Sequence, residues 1–245
     1  MPVYLCFGIF VEEMRFEDYN ADMISYLIKF VSKEKNADSL LNGDLFMHCA
    51  YYYHDLERKK GRGQGDIGEA MAFPGLGIYT HADLPIYCLY TVEETEIADN
   101  TIRIPNLVIQ DFGCEQGYLV LIDFYEFEKA LPVCDTHGYQ MNGRSVIYGT
   151  PSEELSRKFF ADDPGAMNLF VKSEAFSHQK EYRLVVYHPI PWHSHMEMMD
   201  GMEVRVCDTD KMYDTYSIPG GIHDIARKFA VASLTKTETE YLLHI

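Results

Sequence analysis

The stretch Phe176-Ser177-His178-Gln179-Lys180-Glu181-Tyr182-Arg183-Leu184-Val185-Val186-Tyr187 governs the reading of this chain. Its last four residues are apolar, β-branched or aromatic, the composition of a strand that packs against a core. A charged Glu-Tyr-Arg triplet stands at the mouth of that strand. On an extended backbone Gln179 and Glu181, two residues apart, project from one face. A carboxylate so placed suits a cationic or hydroxyl-bearing reaction centre, with the amide positioning a second substrate. The plainer alternative is an edge strand guarded by charges, with Glu181 paired to Arg183 or Lys172 on the surface.

Working outward, apolar and aromatic runs predict strands at 3–10, 44–49, 84–92, 101–110, 117–123, 145–148, 169–172, 182–187, 203–207 and 241–244. Helices are expected at 19–35, from the spacing of Met23, Leu27, Phe30 and Val31, and at 50–58, 124–131, 152–160 and 222–234. Strands outnumber helices and seldom alternate with them. The pattern therefore predicts one α+β domain over 1–245, with mixed or antiparallel sheets and flanking helices. The strands at 44–49, 84–92 and 182–187 are expected to share its core.

The chain has 245 residues, and 47% of them are hydrophobic, enough to build a sizeable core. Its net charge of −17 repels phosphate backbones, so bulk nucleic-acid binding is not expected. No apolar run reaches membrane-spanning length and the first residues lack a basic leader, so a cytoplasmic protein without a membrane partner is expected. Cys6, Cys49, Cys88, Cys114, Cys134 and Cys207 are scattered and form no C-x-x-C pair; six free thiols are expected. One basic run, Arg58-Lys59-Lys60-Gly61-Arg62, is the electrostatic place for an anion, or simply a helix C-terminus.

Gly63-x-Gly65-x-x-Gly68 matches a dinucleotide-binding pattern but follows a basic helix end rather than a strand. It reads as a surface loop, with a phosphate cradle as the sharper alternative. His193-x-His195 beside Glu197 has metal-like spacing, yet no further ligand is specified, and no metal is expected.

Several of these segments together resemble a broad, uncharacterised bacterial and phage family: Asn42 to His48, Arg62-Gly-x-Gly-Asp66-x-Gly-Glu69, Leu84-Pro-Ile-Tyr-Cys88, and Lys172-x-x-x-Phe176-x-x-Gln179-Lys-Glu181-Tyr-Arg183. The tail Ile218-Pro-Gly-Gly-Ile222-His-Asp224-Ile is similar to the closing element of that family, which implies no activity. Gln179-x-Glu181 and Gly75-Leu-Gly77-Ile-Tyr79-Thr80 also resemble the third and second motifs of mono-ADP-ribosyltransferases. The first motif of those enzymes has His48 as its candidate, since residues 3–10 hold no Arg or His.

The second resemblance implies an ADP-ribosyltransferase-like fold with NAD as substrate. It implies Glu181 and Gln179 as catalytic residues, and His48, Tyr52, Arg62, Tyr79 and Arg183 as NAD-binding ones. Two functional expectations follow. One is a toxin or phage-defence effector transferring ADP-ribose to an unknown macromolecule. The other is a non-catalytic acidic phage or bacterial interaction protein that blocks a basic partner surface. They differ in whether Glu181 lines a concave pocket with His48 and tyrosines.

Overall fold

The computed structural model describes residues 23–50, 52–53, 71–73, 78–79, 84–131, 140–149, 169–187, 194–199, 202–207 and 213–245. Its centre is the strand Pro85–Glu93, buried at seven of nine positions because apolar layers cover both of its faces. Around it runs a fully antiparallel series: Gln140–Ser145, Glu181–Tyr187, Pro85–Glu93, Ile24–Val31, Tyr118–Asp123 and Ala226–Ala230. Asp44–Cys49 joins through Cys49 and His48 to Pro85 and Ile86, and carries Tyr213–Ser217 on its other edge. The expected sharing of one sheet by the 44–49, 84–92 and 182–187 segments is thus met, in an α+β fold.

The 85–93 strand passes from one neighbour to another between Ile86, which faces His48, and Tyr90, which faces Ile28. At that gap the Lys29 ammonium donates to the Cys88 carbonyl at 2.8 Å and lies 3.9 Å from the Tyr87 ring centroid. A side chain thereby serves a backbone acceptor near the point where two strands part.

Strand alternation sorts the core into two faces. Leu27, Leu89, Val120, Ile122, Leu184 and Val186 face one cluster, which the helices Glu34–Leu41 and Phe124–Ala130 cover with Ala37, Leu40 and Phe127. Ile28, Tyr90, Val92, Leu119 and Leu121 face the other. A small sheet of Thr235–Lys236, Glu240–His244, Thr101–Pro105 and Ile97–Ala98, with the short helix Asn106–Asp111, packs there. Beside it on the same face lies a third cluster that includes Ile86, Leu169, Phe170 and Val185.

Two turns lock against each other. Gly43 and Gly221 adopt φ of +94° and +74°, and a Cβ there would meet the Ile218 carbonyl at 2.4 Å and the Leu41 carbonyl at 2.7 Å respectively. Only glycine permits both the left-handed backbone and the approach that lets Ile218 N–H donate to Gly43 O and Ile222 N–H to Leu41 O.

Three expected elements are corrected. Residues 24–31 form a strand, and the helix begins only at Glu34. A strand buried from both sides presents apolar residues on each face, so Leu27, Phe30 and Val31 mimic helical spacing while β-branched and aromatic residues favour the strand. Met23 lies just before the strand and is exposed. The 101–110 run is a strand only to Pro105 and then a helix. The expected helix at 222–234 is instead the edge strand Ala226–Ala230 followed by one 3-10 turn, Val231–Ser233. The unpaired edge of Tyr118–Asp123 captures it, overriding local propensity.

Residues 3–10 and 152–160 lie outside the described residues, and of 50–58 only Ala50, Tyr52 and Tyr53 are described, all helical. Cys49, Cys88 and Cys114 are free thiols, and burial pushes Cys114 up to about 11. No helix among the described residues is long and apolar enough to cross a membrane.

Candidate functional site

The 3-10 helix Glu174–Gln179 ends at Lys180, which takes the left-handed conformation with φ 39° and ψ 57°. Such a backbone costs a non-glycine residue about 1–2 kcal/mol and persists where surrounding contacts fix it. Here the Lys180 carbonyl accepts from the Thr91 N–H at 2.8 Å and the Thr91 hydroxyl at 3.0 Å. The Lys180 ammonium pairs with Glu93 at 3.2 Å and Glu96 at 2.6 Å.

This turn breaks the extended backbone assumed between Gln179 and Glu181. Their side chains meet for a different reason: Lys172 gathers them, its ammonium 2.8 Å from Gln179 Oε1 and 2.7 Å from Glu181 Oε1. The second carboxylate oxygen, Glu181 Oε2, accepts from Arg183 Nε and lies against Nη2, both at 2.8 Å. Arg183 Nη1 donates to the Leu169 carbonyl at 2.6 Å. The Glu181 backbone is held as well, its N–H donating to Tyr148 Oη and its carbonyl accepting from Val146 N–H, both at 2.8 Å.

Glu181 is 4% exposed and Arg183 1%, so solvent reaches neither. Burial alone would raise the Glu181 pKa, but the neighbouring Arg183 and Lys172 charges and their hydrogen bonds outweigh it and hold the carboxyl well below the usual range. Gln179 extends the network outward: its Nε2 donates to Asp111 Oδ2 at 3.2 Å, the oxygen that His178 Nε2 meets at 2.6 Å. A polar chain thus runs from the partly exposed Asp111–His178 pair to the buried Arg183.

The second grouping is aromatic. His48 stacks on Tyr52 at 3.7 Å and 7°, with Tyr53 edge-on to both. Phe46 packs against His48 and Tyr213, at centroid distances of 5.1 Å and 5.2 Å. His48 faces Ile86, and Glu181 faces Tyr90, four residues along the same strand and on the same side of the sheet. Four residues of strand span roughly 13 Å, and the facing pair Cys88 and Arg183 stands in the row between.

The structure therefore brings Gln179, Glu181 and Arg183 together, and His48 with Tyr52, as two groupings set apart along the sheet. Arg62, the 58–62 basic run, the glycine loop at 63–68 and His193 lie outside the described residues. Tyr79 is in the short strand Ile78–Tyr79, and His195 and Glu197 are in Ser194–Met199, which pairs with Met202–Cys207. No group of three or more His, Cys, Asp or Glu able to hold a metal occurs among the described residues. Sequence reasoning missed Asp111, Tyr148 and Lys29; the Asp111 contacts span 67 and 68 residues, beyond any local spacing signal.

No family model, known curated protein or solved structure matches this chain.

Proposed function

We propose that the chain is a non-catalytic acidic binding protein that occupies a basic surface on a macromolecular partner. One observation carries this reading. The carboxylate at the centre of the transferase motif has both oxygens bound by Lys172 and Arg183 and is shut away from solvent. A carboxylate held this way supports the fold rather than a reacting centre. The charge of −17 then supplies the long-range attraction that a basic partner requires. The test pairs binding with turnover. A lysine- and arginine-rich partner should bind with affinity that falls as salt rises, and nicotinamide release from NAD should stay at background. Turnover by the wild-type chain that disappears in Glu181→Gln would replace this reading.

A second reading retains specific support. Gln179 and Glu181 do converge, and the His48–Tyr52 stack stands on the same sheet face as Glu181. An ADP-ribosyltransferase-like effector would take NAD as substrate, with a ring stacked near His48 and Tyr52. Glu181 would then stabilise positive charge developing on the ribose, which requires Lys172 to release it first. Binding of NAD that perturbs both Lys172 and Tyr52 resonances would support this alternative.

A further inference from the structure

We propose that the outward row Asp44, Phe46 and His48, with Tyr213 beside it, is the contact face for an arginine-bearing segment of a protein partner. The inference rests on the binding reading above and names the part of the surface that does the binding.

In the strand Asp44–Cys49, Leu45 and Met47 turn into the core, which leaves Asp44, Phe46 and His48 on the opposite side. The neighbouring strand sets Ser217 opposite Asp44, Thr215 opposite Phe46 and Tyr213 opposite His48. Phe46 is 50% exposed and Tyr213 54%, and their rings lie 5.2 Å apart at 31°. Two large rings side by side and half open to water form an interaction surface, which a single exposed residue does not.

Charge decides the occupant. A molecule of net charge −17 does not favour a phosphate chain over these rings, whereas it attracts a cation. Ring faces carry negative potential and hold a guanidinium above them, the more strongly when it is partly desolvated. The carboxylate for that cation is at hand. Asp44 stands two residues from Phe46 on the same side, about 7 Å along the strand. Among the described residues its oxygens accept only hydroxyl hydrogen bonds, from Ser39 at 2.9 Å and Ser217 at 3.3 Å. Arginine fits better than lysine, because its planar head stacks on a ring and also donates in pairs to a carboxylate.

The test titrates labelled oligoarginine, oligolysine, a neutral Gly-Ser peptide and oligothymidylate against the full chain and two variants. Phe46→Leu/Tyr213→Leu removes the rings but keeps apolar side chains at half-exposed positions, and Asp44→Asn removes the charge. Circular dichroism and melting temperature establish that each variant is folded. Oligoarginine should bind more tightly than oligolysine, the double variant should weaken it roughly tenfold, and Asp44→Asn should weaken it by about threefold. If oligoarginine binds the wild type and the folded double variant equally, this face is not the contact and the broader binding reading survives. If the wild type binds neither basic peptide, both fail. Oligothymidylate binding that depends on Phe46 would also overturn the inference, because the rings would then be stacking bases.

Discussion

Lys172 and Glu181 form a fully buried ion pair, 2.7 Å between ammonium and carboxylate, across nine residues of chain that include a left-handed turn. Two cations, Lys172 and Arg183, share this one carboxylate. Taking an ion pair out of water is costly, so such a pair contributes little net stability by its presence. Its removal by halves is another matter.

Glu181→Gln should therefore destabilise the chain by about 3–5 kcal/mol, because it removes the charged carboxylate that two buried cations share. Urea unfolding and melting temperature would show this directly. An unchanged melting temperature together with loss of nicotinamide release would favour the transferase reading, since a catalytic carboxylate is often held at some expense to stability.

The same pair predicts a pH dependence. The Glu181 carboxyl is held below its ordinary value of 4.5, so the folded chain binds fewer protons there than the unfolded chain does. That contribution to stability is complete above about pH 4.5 and is lost as pH falls toward the folded value. Its slope can reach about 1.4 kcal/mol per pH unit in that interval. Urea unfolding between pH 6 and 3 should show a steeper loss in the wild type than in Glu181→Gln. Equal slopes would mean that the carboxyl is not tied to the two cations in solution.

Much of this arrangement was legible in the sequence, and the failures have physical causes. The 181–187 strand and its charged entry are local signals, and Lys172 and Arg183 were identifiable as partners of Glu181 from charge alone. Burial was not legible, because the covering layer comes from Leu169, Phe170 and a sheet strand distant in sequence. The Ile24–Val31 segment misled for a related reason: apolar residues on both faces of a central strand imitate helical spacing. Gln179 and Glu181 were expected to meet through strand alternation. They meet through an ammonium group, because Lys180 turns the backbone between them.

Lys180 offers a separate test of that turn. Lys180→Ala loses the pairing with Glu93 and Glu96 and keeps the left-handed strain, whereas Lys180→Gly loses the same pairing and relieves the strain. Glycine at this position should be more stable than alanine by about 1 kcal/mol. Chemical denaturation of the two variants checks this, and an alanine variant as stable as the glycine one would show that the backbone is not left-handed at 180.

Gly143 tests the opposite face of the same strand. It lies opposite Leu184, and a Cβ added there would stand 2.1 Å from the Tyr182 hydroxyl and 2.7 Å from Cζ of that ring. The ring cannot simply swing away. Tyr182 is buried, meets Phe124 edge-on at 5.4 Å, and donates to Glu128 Oε1 at 2.6 Å. Gly143→Ala should therefore cost about 1–3 kcal/mol through overpacking. Tyr182→Phe should recover little of that loss, because Cζ and Cε1 remain too close, while Tyr182→Leu should recover more by vacating the space. A double-mutant cycle built on Gly143→Ala and Tyr182→Leu should show a coupling of about 0.5–3 kcal/mol. Simple additivity would mean that the ring does not cover Gly143, and with it that the Glu181–Tyr187 strand pairs in another register.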